Sequence, residues 1–346
     1  MPNAKTEKKI QRTGGGTPYV YLPKEWTSGL FPEDRVVIQR LPLGVFLTPP
    51  VPVMAAAEYF VKSNKPDIIN EAVLAAYTQG HRVISITVPP MGARATAEVS
   101  GFASRLMGVV SNVTSDKVVL KEYAEHERVD LARLVEALFS KCKEMAISGK
   151  ELLLTGGDAS RKPEEVLGLL DGIEDDADFL SFGLFRLLSS RSRYVEIPGE
   201  LLVDLLYYSV INYAAERYCD CLQGMTDAYR LLLAEGRDGR KALSAVKEVA
   251  SILGTSVNYL DKARVVVIGR DGLRARDTRK QIRRARLDSW EPSVARLLHR
   301  LVASDRAVSL YPTMRVCSRL LESGTYLESF FSRTSQFFFS GQPAVR

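Results

Sequence analysis

The sequence predicts a mainly α protein, with tandem three-helix bundles preceded by a small β-rich domain and a small α/β module. Three observations support this. From residue 128 onward the chain runs in long segments with apolar residues at helical spacing. Residues 4–53 instead carry short alternating runs punctuated by glycine and proline. Between them, residues 55–122 switch between the two periods. The domains expected are therefore 4–53, 55–122, 125–240 and 241–336.

In the first unit, Lys8–Arg12 and Tyr19–Leu22 read as strands around the turn Gly14-Gly15-Gly16. Pro23 opens a short helix, since its missing N–H is unpaired in a first turn anyway. Arg35–Arg40 and Gly44–Thr48 form a hairpin, and Pro49, Pro50 and Pro52 close the unit. About fifty residues bury too little surface to stand alone. Pairing with a second copy supplies a core and covers the strand edges. Lys8, Lys9, Arg12, Lys24, Arg35 and Arg40 give the unit a basic surplus suited to a phosphate backbone. A unit that only dimerises is the other reading.

The next unit has the order α-β-α-β-β. Ala55–Phe60 and Asp67–Thr78 are helical in pattern, with Gly80 as a stop, and Arg82–Val88 is a strand. Ala93–Met107 returns to helical period, and Gly108–Val113 with Asp116–Lys121 forms a hairpin. The unit carries no catalytic constellation and reads as a spacer and dimer support, with sensing of a small ligand as the other reading.

The first bundle comprises Val129–Leu154, Glu164–Leu188 and Leu201–Ala234. Glu174 and Asp178 lie four residues apart on its second helix, and Glu216 and Asp220 repeat the spacing on its third. Each pair therefore projects from one helix face, where like charges repel. Two antiparallel helices bring the four together as an all-oxygen site for hard cations, or for Fe, Mn, Zn or Mg with water completing the shell. A solvated acidic face, including Asp175 and Asp176, is the alternative. Cys219 and Cys221 flank Asp220 and are assigned to packing, with reach to a metal as the alternative; Cys142 and Cys317 are likewise assigned to packing, since the four form no CxxC pair and no secreted-type framework.

The last stretch reads as a drifted second bundle. Ala242–Tyr259 is helical, Arg264–Gly269 is strand-like, Arg279–Leu301 is a helix broken near Pro292, and Ala307–Phe331 is the third helix. Glu322 keeps the place of the glutamate while Tyr326 replaces the aspartate, with Asp288 and Glu291 as weak partners. A dense basic run contains Arg274, Arg276, Arg279, Lys280, Arg283, Arg284 and Arg286. Arg279, Lys280, Arg283 and Arg284 are its candidates for contact with DNA, a phosphate-bearing ligand or an acidic partner; a solvated face is the other reading. Phe337, Phe338 and Phe339 are expected to tuck against a neighbour.

Composition narrows the class. A hydrophobic fraction of 46% with 25% charged residues describes a globular chain, and the net charge of +6 permits an anionic partner. No apolar run reaches the length of a membrane span, and the first residues lack the apolar core of a signal peptide, so a cytoplasmic protein without membrane insertion is expected. His81, His126 and His299 complete no Glu-x-x-His motif and no nucleophilic triad, which argues against a carboxylate-bridged oxidase and against an enzyme in general.

The spacing Glu174-x-x-x-Asp178 followed by Glu216-Arg-x-x-Asp220 resembles the PhoU family of phosphate-uptake regulators. Lys9-Ile-Gln-Arg-Thr-Gly-Gly, Tyr21-Leu-Pro-Lys-Glu-Trp26 and Asp34-Arg-Val-Val-Ile38 resemble the SpoVT/AbrB (MazE-like) swapped-hairpin domain. The two together resemble the arrangement of archaeal PhoU-type regulators. The resemblance implies tandem PhoU-like bundles behind an AbrB-like head, metal at Glu174, Asp178, Glu216 and Asp220, and DNA binding by a homodimer. It implies a role in transcription regulation that relays phosphate status. The alternative it leaves is an adaptor that restrains a phosphate ABC transporter component, with the head used only to dimerise.

Overall fold

The computed structural model describes residues 11–12, 15, 18–19, 37–41, 44–48, 56–123, 130–155, 163–192, 199–303 and 307–339. In the N-terminal part, β1 (Gln11–Arg12) pairs antiparallel with β2 (Pro18–Tyr19), and β3 (Val37–Leu41) pairs antiparallel with β4 (Gly44–Thr48). The register Leu41↔Gly44 to Val37↔Thr48 is the expected hairpin. The expected helix after Pro23 lies outside the described residues.

The α/β module contains β5 (Ala56–Phe60), α1 (Pro66–Thr78), β6 (Val83–Thr87), α2 (Ala93–Ser104), β7 (Val109–Val113) and β8 (Lys117–Glu122). Its sheet has the order β5-β6-β8-β7, with β5 parallel to β6 and the other pairs antiparallel. Ala56–Phe60, expected to be helical, is thus an edge strand. Five residues are too few to repay helix nucleation. Ala57 and Tyr59 turn inward while Ala56, Glu58 and Phe60 stay exposed, which is the period of a half-buried strand. The core beneath the sheet holds Ile69, Val73, Tyr77, Ile84, Ile86, Val99, Val118 and Leu120.

The helical part contains α3 (Leu131–Thr155), α4 (Pro163–Ser192), α5 (Gly199–Ala234), α6 (Gly236–Val246) and α7 (Ala250–Ile268). It continues with α8 (Gly272–Ala285), α9 (Glu291–Ala303) and α10 (Ala307–Phe339). The strand-like Arg264–Gly269 is instead the last part of α7 and its cap. Val266 and Val267 are buried in the common core there, and packing outweighs a helix-propensity penalty of only about 0.5 kcal/mol per valine. A π-helical turn, Arg286–Trp290, joins α8 to α9 immediately before Pro292. Proline lacks the N–H of a regular turn and crowds the carbonyl four residues back, which accounts for the break.

One continuous apolar core runs from Leu131 on α3 to Phe331 on α10, so the described residues of the two expected bundles pack as a single body. Phe337 and Phe338 stack edge-on against Tyr207 of α5, as the terminal aromatic run led us to expect. Helix α4 belongs to both parts of the molecule. Its Leu170, Ile173, Ala177 and Leu184 enter the helical core, while Phe179 and Phe182 pack against the core of the α/β module, Phe179 on Phe102 of α2. No helix among the described residues is long and apolar enough to cross a membrane.

Candidate metal centre

Pro163 in the first turn of α4, followed by Glu164 and Glu165, places a residue without a needed N–H and two anions at the positive end of the helix dipole. Helix α5 lies antiparallel beside α4, and polar contacts set their register. Asn212 Nδ2 donates to the carbonyl of Ser181 at 3.2 Å. At the other end Gln223 Nε2 donates to Asp171 Oδ1 at 2.9 Å, and Arg230 holds both oxygens of Asp171 at 2.6 Å. Between these clamps the i, i+4 carboxylates of α4 meet those of α5.

Ligand atoms of Glu174, Asp178 and Asp220 lie within 4.8 Å of one another, and all three residues are half-buried. Glu216 stands one turn before Asp220 and is outside that triplet, but its charge acts on Asp178. The other members of the acidic run have cations of their own. Asp175 pairs with Arg105 at 3.3 Å and Asp176 with Lys141 at 3.2 Å. Among the described residues Glu174 and Asp178 have no hydrogen bond or ion pair, and Asp220 has Arg217, whose Nη1 donates to Oδ2 at 3.0 Å. The acidic stretch thus divides: the outward residues are a compensated surface, and the residues facing α5 are uncompensated.

Electrostatics follow from that geometry. Desolvation, with Glu174, Asp220 and Glu216 nearby, pushes the Asp178 carboxyl up to about 7. Desolvation, with Asp175 and Asp220, pushes Glu174 up to about 6. Glu216 is raised by burial and then by Asp220, against the opposing charge of Arg217. These groups share too little positive charge to ionise together. A hard cation with metal–oxygen distances of about 2.0–2.6 Å spans oxygens at such separations, so the donor set fits one. Lacking histidine or thiolate, it suits Mg, Mn or Fe better than Zn, whose sites favour nitrogen and sulfur.

The cysteines do not join the site. The Cys219 thiol lies 3.5 Å from that of Cys142 in the core between α5 and α3, and Cys221 is buried beside Glu322 and Arg319. Neither a protein-family model, a curated protein nor a solved structure matches the chain.

Glu322 is held by Arg319 at 2.7 Å, where the absence of a side chain at Gly224 lets Arg319 lie across α5. Glu291 is bound by Arg286 at 3.4 Å, and Asp288 is exposed. In the basic run Arg279 is committed to Glu328 at 3.3 Å, and Arg286 reaches the same carboxylate at 3.1 Å. Lys280 has a long contact of 3.9 Å with Asp277, while Arg283 and Arg284 have no ion pair among the described residues. Of the candidates for DNA contact, Lys8, Lys9, Lys24 and Arg35 lie outside the described residues, whereas Arg12 is on β1 and Arg40 on β3.

Sequence reasoning passed over Arg186. This α4 residue, two turns beyond Asp178, is fully buried. Nη1 donates to the carbonyl of Tyr77 at 2.9 Å and Nη2 to that of His81 at 2.7 Å, with Glu122 Oε2 3.7 Å away. Its guanidinium also sits 4.9 Å from the centre of the Tyr77 ring. Arg186 therefore fastens the end of α1 and strand β8 to the helix that carries Glu174 and Asp178. The signal in the sequence was a single charge inside the apolar run Phe182–Leu188.

Proposed function

We propose that the chain is a PhoU-type regulator of phosphate uptake, working as a DNA-binding homodimer whose α4–α5 carboxylates hold a metal ion. The observation that carries this reading is the uncompensated pair Glu174 and Asp178 facing Asp220, in a stretch whose neighbouring Asp171, Asp175 and Asp176 are matched by cations. A bound Mg, Mn or Fe ion supplies the positive charge that lets these carboxylates ionise side by side. Glu174 and Asp178 contribute oxygens from α4, Asp220 contributes one from α5, and Glu216 stands a turn away as a further donor. Arg217 orients Asp220 through its hydrogen bond.

Metal status then acts on the relation of α4 to α5. Because Arg186 ties α4 to the α/β module, a change between these helices is carried toward the N-terminal domain through packed side chains. The N-terminal domain contacts the phosphate backbone of DNA through its basic residues, Arg12 and Arg40 among them.

A titration of full-length protein against duplex DNA, at two salt concentrations and with either Mn(II) or chelator, tests the proposal. The expected affinity falls steeply with salt, because each phosphate contact releases a counterion, and it differs between the metal-loaded and chelated forms. Absence of binding at either salt concentration contradicts the DNA reading. It transfers support to an adaptor that contacts a phosphate transporter component and uses the head for dimerisation.

A further inference from the structure

Helix α8 presents a second charged surface, well apart in sequence from the N-terminal domain. Its inner side is occupied by the fold: Ala275, Thr278 and Ile282 are buried, and Arg279 is held by Glu328. The outer side is rigidly displayed as a result. At 3.6 residues per turn, Leu273, Arg276, Lys280, Arg283 and Arg284 fall within an arc of about 100°, and no carboxylate falls inside it. Asp277 lies just beyond its edge. All five residues of the arc are exposed. Leu273 is 65% exposed at one end, and Leu287, in the π-helical turn that follows, is 53% exposed at the other.

We infer that this face of α8 docks on an anionic lipid surface, as a peripheral contact that spans nothing. Cations here occupy the middle of the strip and large apolar side chains its two ends. A protein–protein contact has the opposite anatomy, with an apolar centre and a polar rim. A nucleic acid uses the cations but offers nothing that repays exposure of two leucines on the same line. An anionic bilayer uses both, because guanidinium and ammonium groups pair with lipid phosphates while leucines enter the interfacial layer. Arginine predominates in the strip, and its planar fork matches phosphate oxygens.

The test is a co-sedimentation titration of the full-length protein with vesicles of phosphatidylglycerol and phosphatidylcholine, and with phosphatidylcholine alone. Three proteins are compared: wild type, K280Q/R283Q/R284Q and L273Q/L287Q. All the substituted side chains are exposed, and the thermal unfolding midpoint confirms that each variant is folded. Wild type is expected to bind only the phosphatidylglycerol vesicles and to be released by salt. The triple variant is expected to bind about 100-fold more weakly, at roughly fivefold per cation near an anionic surface. The leucine variant should lose about tenfold while its affinity for duplex DNA stays unchanged. Equal binding to both vesicle types, or wild-type binding by the triple variant, overturns the inference. So does a result in which the leucine variant behaves as wild type and the triple variant loses duplex DNA instead, which assigns the face to nucleic acid. The metal site and the N-terminal domain are the same in all three proteins, so a failure to bind vesicles leaves the proposed regulator standing.

Discussion

Replacing Arg186 by methionine keeps much of the side-chain volume and removes the fork that joins the two parts of the molecule. Two hydrogen bonds from a charged donor, at 2.9 and 2.7 Å, disappear; bonds of that kind contribute about 1.5–3 kcal/mol each. The carbonyls of Tyr77 and His81 flank the end of α1, where Gly80 takes a left-handed conformation, and they are left without this partner. Glu122, which burial already raises above the ordinary carboxylate range, loses the opposing charge of the guanidinium. Removing one partner from such a buried network costs about 3–5 kcal/mol. Methionine is spared the desolvation that a buried guanidinium suffers, so a net loss of about 3 kcal/mol is expected. Against a total stability of about 5–15 kcal/mol this is large. Hydrogen exchange read by mass spectrometry should show α1, β6 and β8 losing protection while α5 and α7 keep theirs. An unchanged exchange pattern, or an equal loss across all helices, refutes the assignment of Arg186 as the fastener.

Two further outcomes can be measured on the same protein. Changing Gly80 to alanine should destabilise by about 1–2 kcal/mol in urea unfolding from the left-handed backbone alone. Here φ is +76°, and a Cβ would also sit 2.5 Å from the backbone nitrogen of Ser190; a neutral substitution would contradict the close approach of α1 to α4. In the chelated protein Asp178 and Glu174 titrate at about 7 and about 6, above their ordinary values of 3.8 and 4.5. The folded state therefore holds more protons than the unfolded one between about pH 4 and 7. Their contribution is present in full below pH 4 and is lost as pH rises toward 7. Asp178→Asn should flatten that part of the stability curve, and a variant curve parallel to wild type would show that Asp178 is not the group responsible.

The parts of this molecule differ in how openly the sequence declares them. The carboxylate pairs could be read because i, i+4 spacing fixes a common helix face whatever the helix packs against. Their division into compensated and uncompensated members could not, since Arg105, Lys141 and Arg230 come from distant stretches of the chain. The strand at Ala56–Phe60 was misjudged although Ala57 and Tyr59 alternate with Glu58; alanine favours a helix locally, and the parallel pairing with β6 decides otherwise. Arg264–Gly269 erred the other way, because valine looks like strand until Val266 and Val267 find a helical core. Arg279 appeared equivalent to Arg283 in the sequence, and only the approach of Glu328 from α10 separates them.

Calorimetric titration of Mn(II) into chelator-treated full-length protein, beside E174Q/D178N, addresses the metal site most directly. The account predicts one saturable ion per chain for wild type, with protons released on binding near pH 6.5, and loss of the saturable heat in the double variant. Equal stoichiometry and affinity in the two proteins would contradict it and return the acidic face of α4 to a surface role.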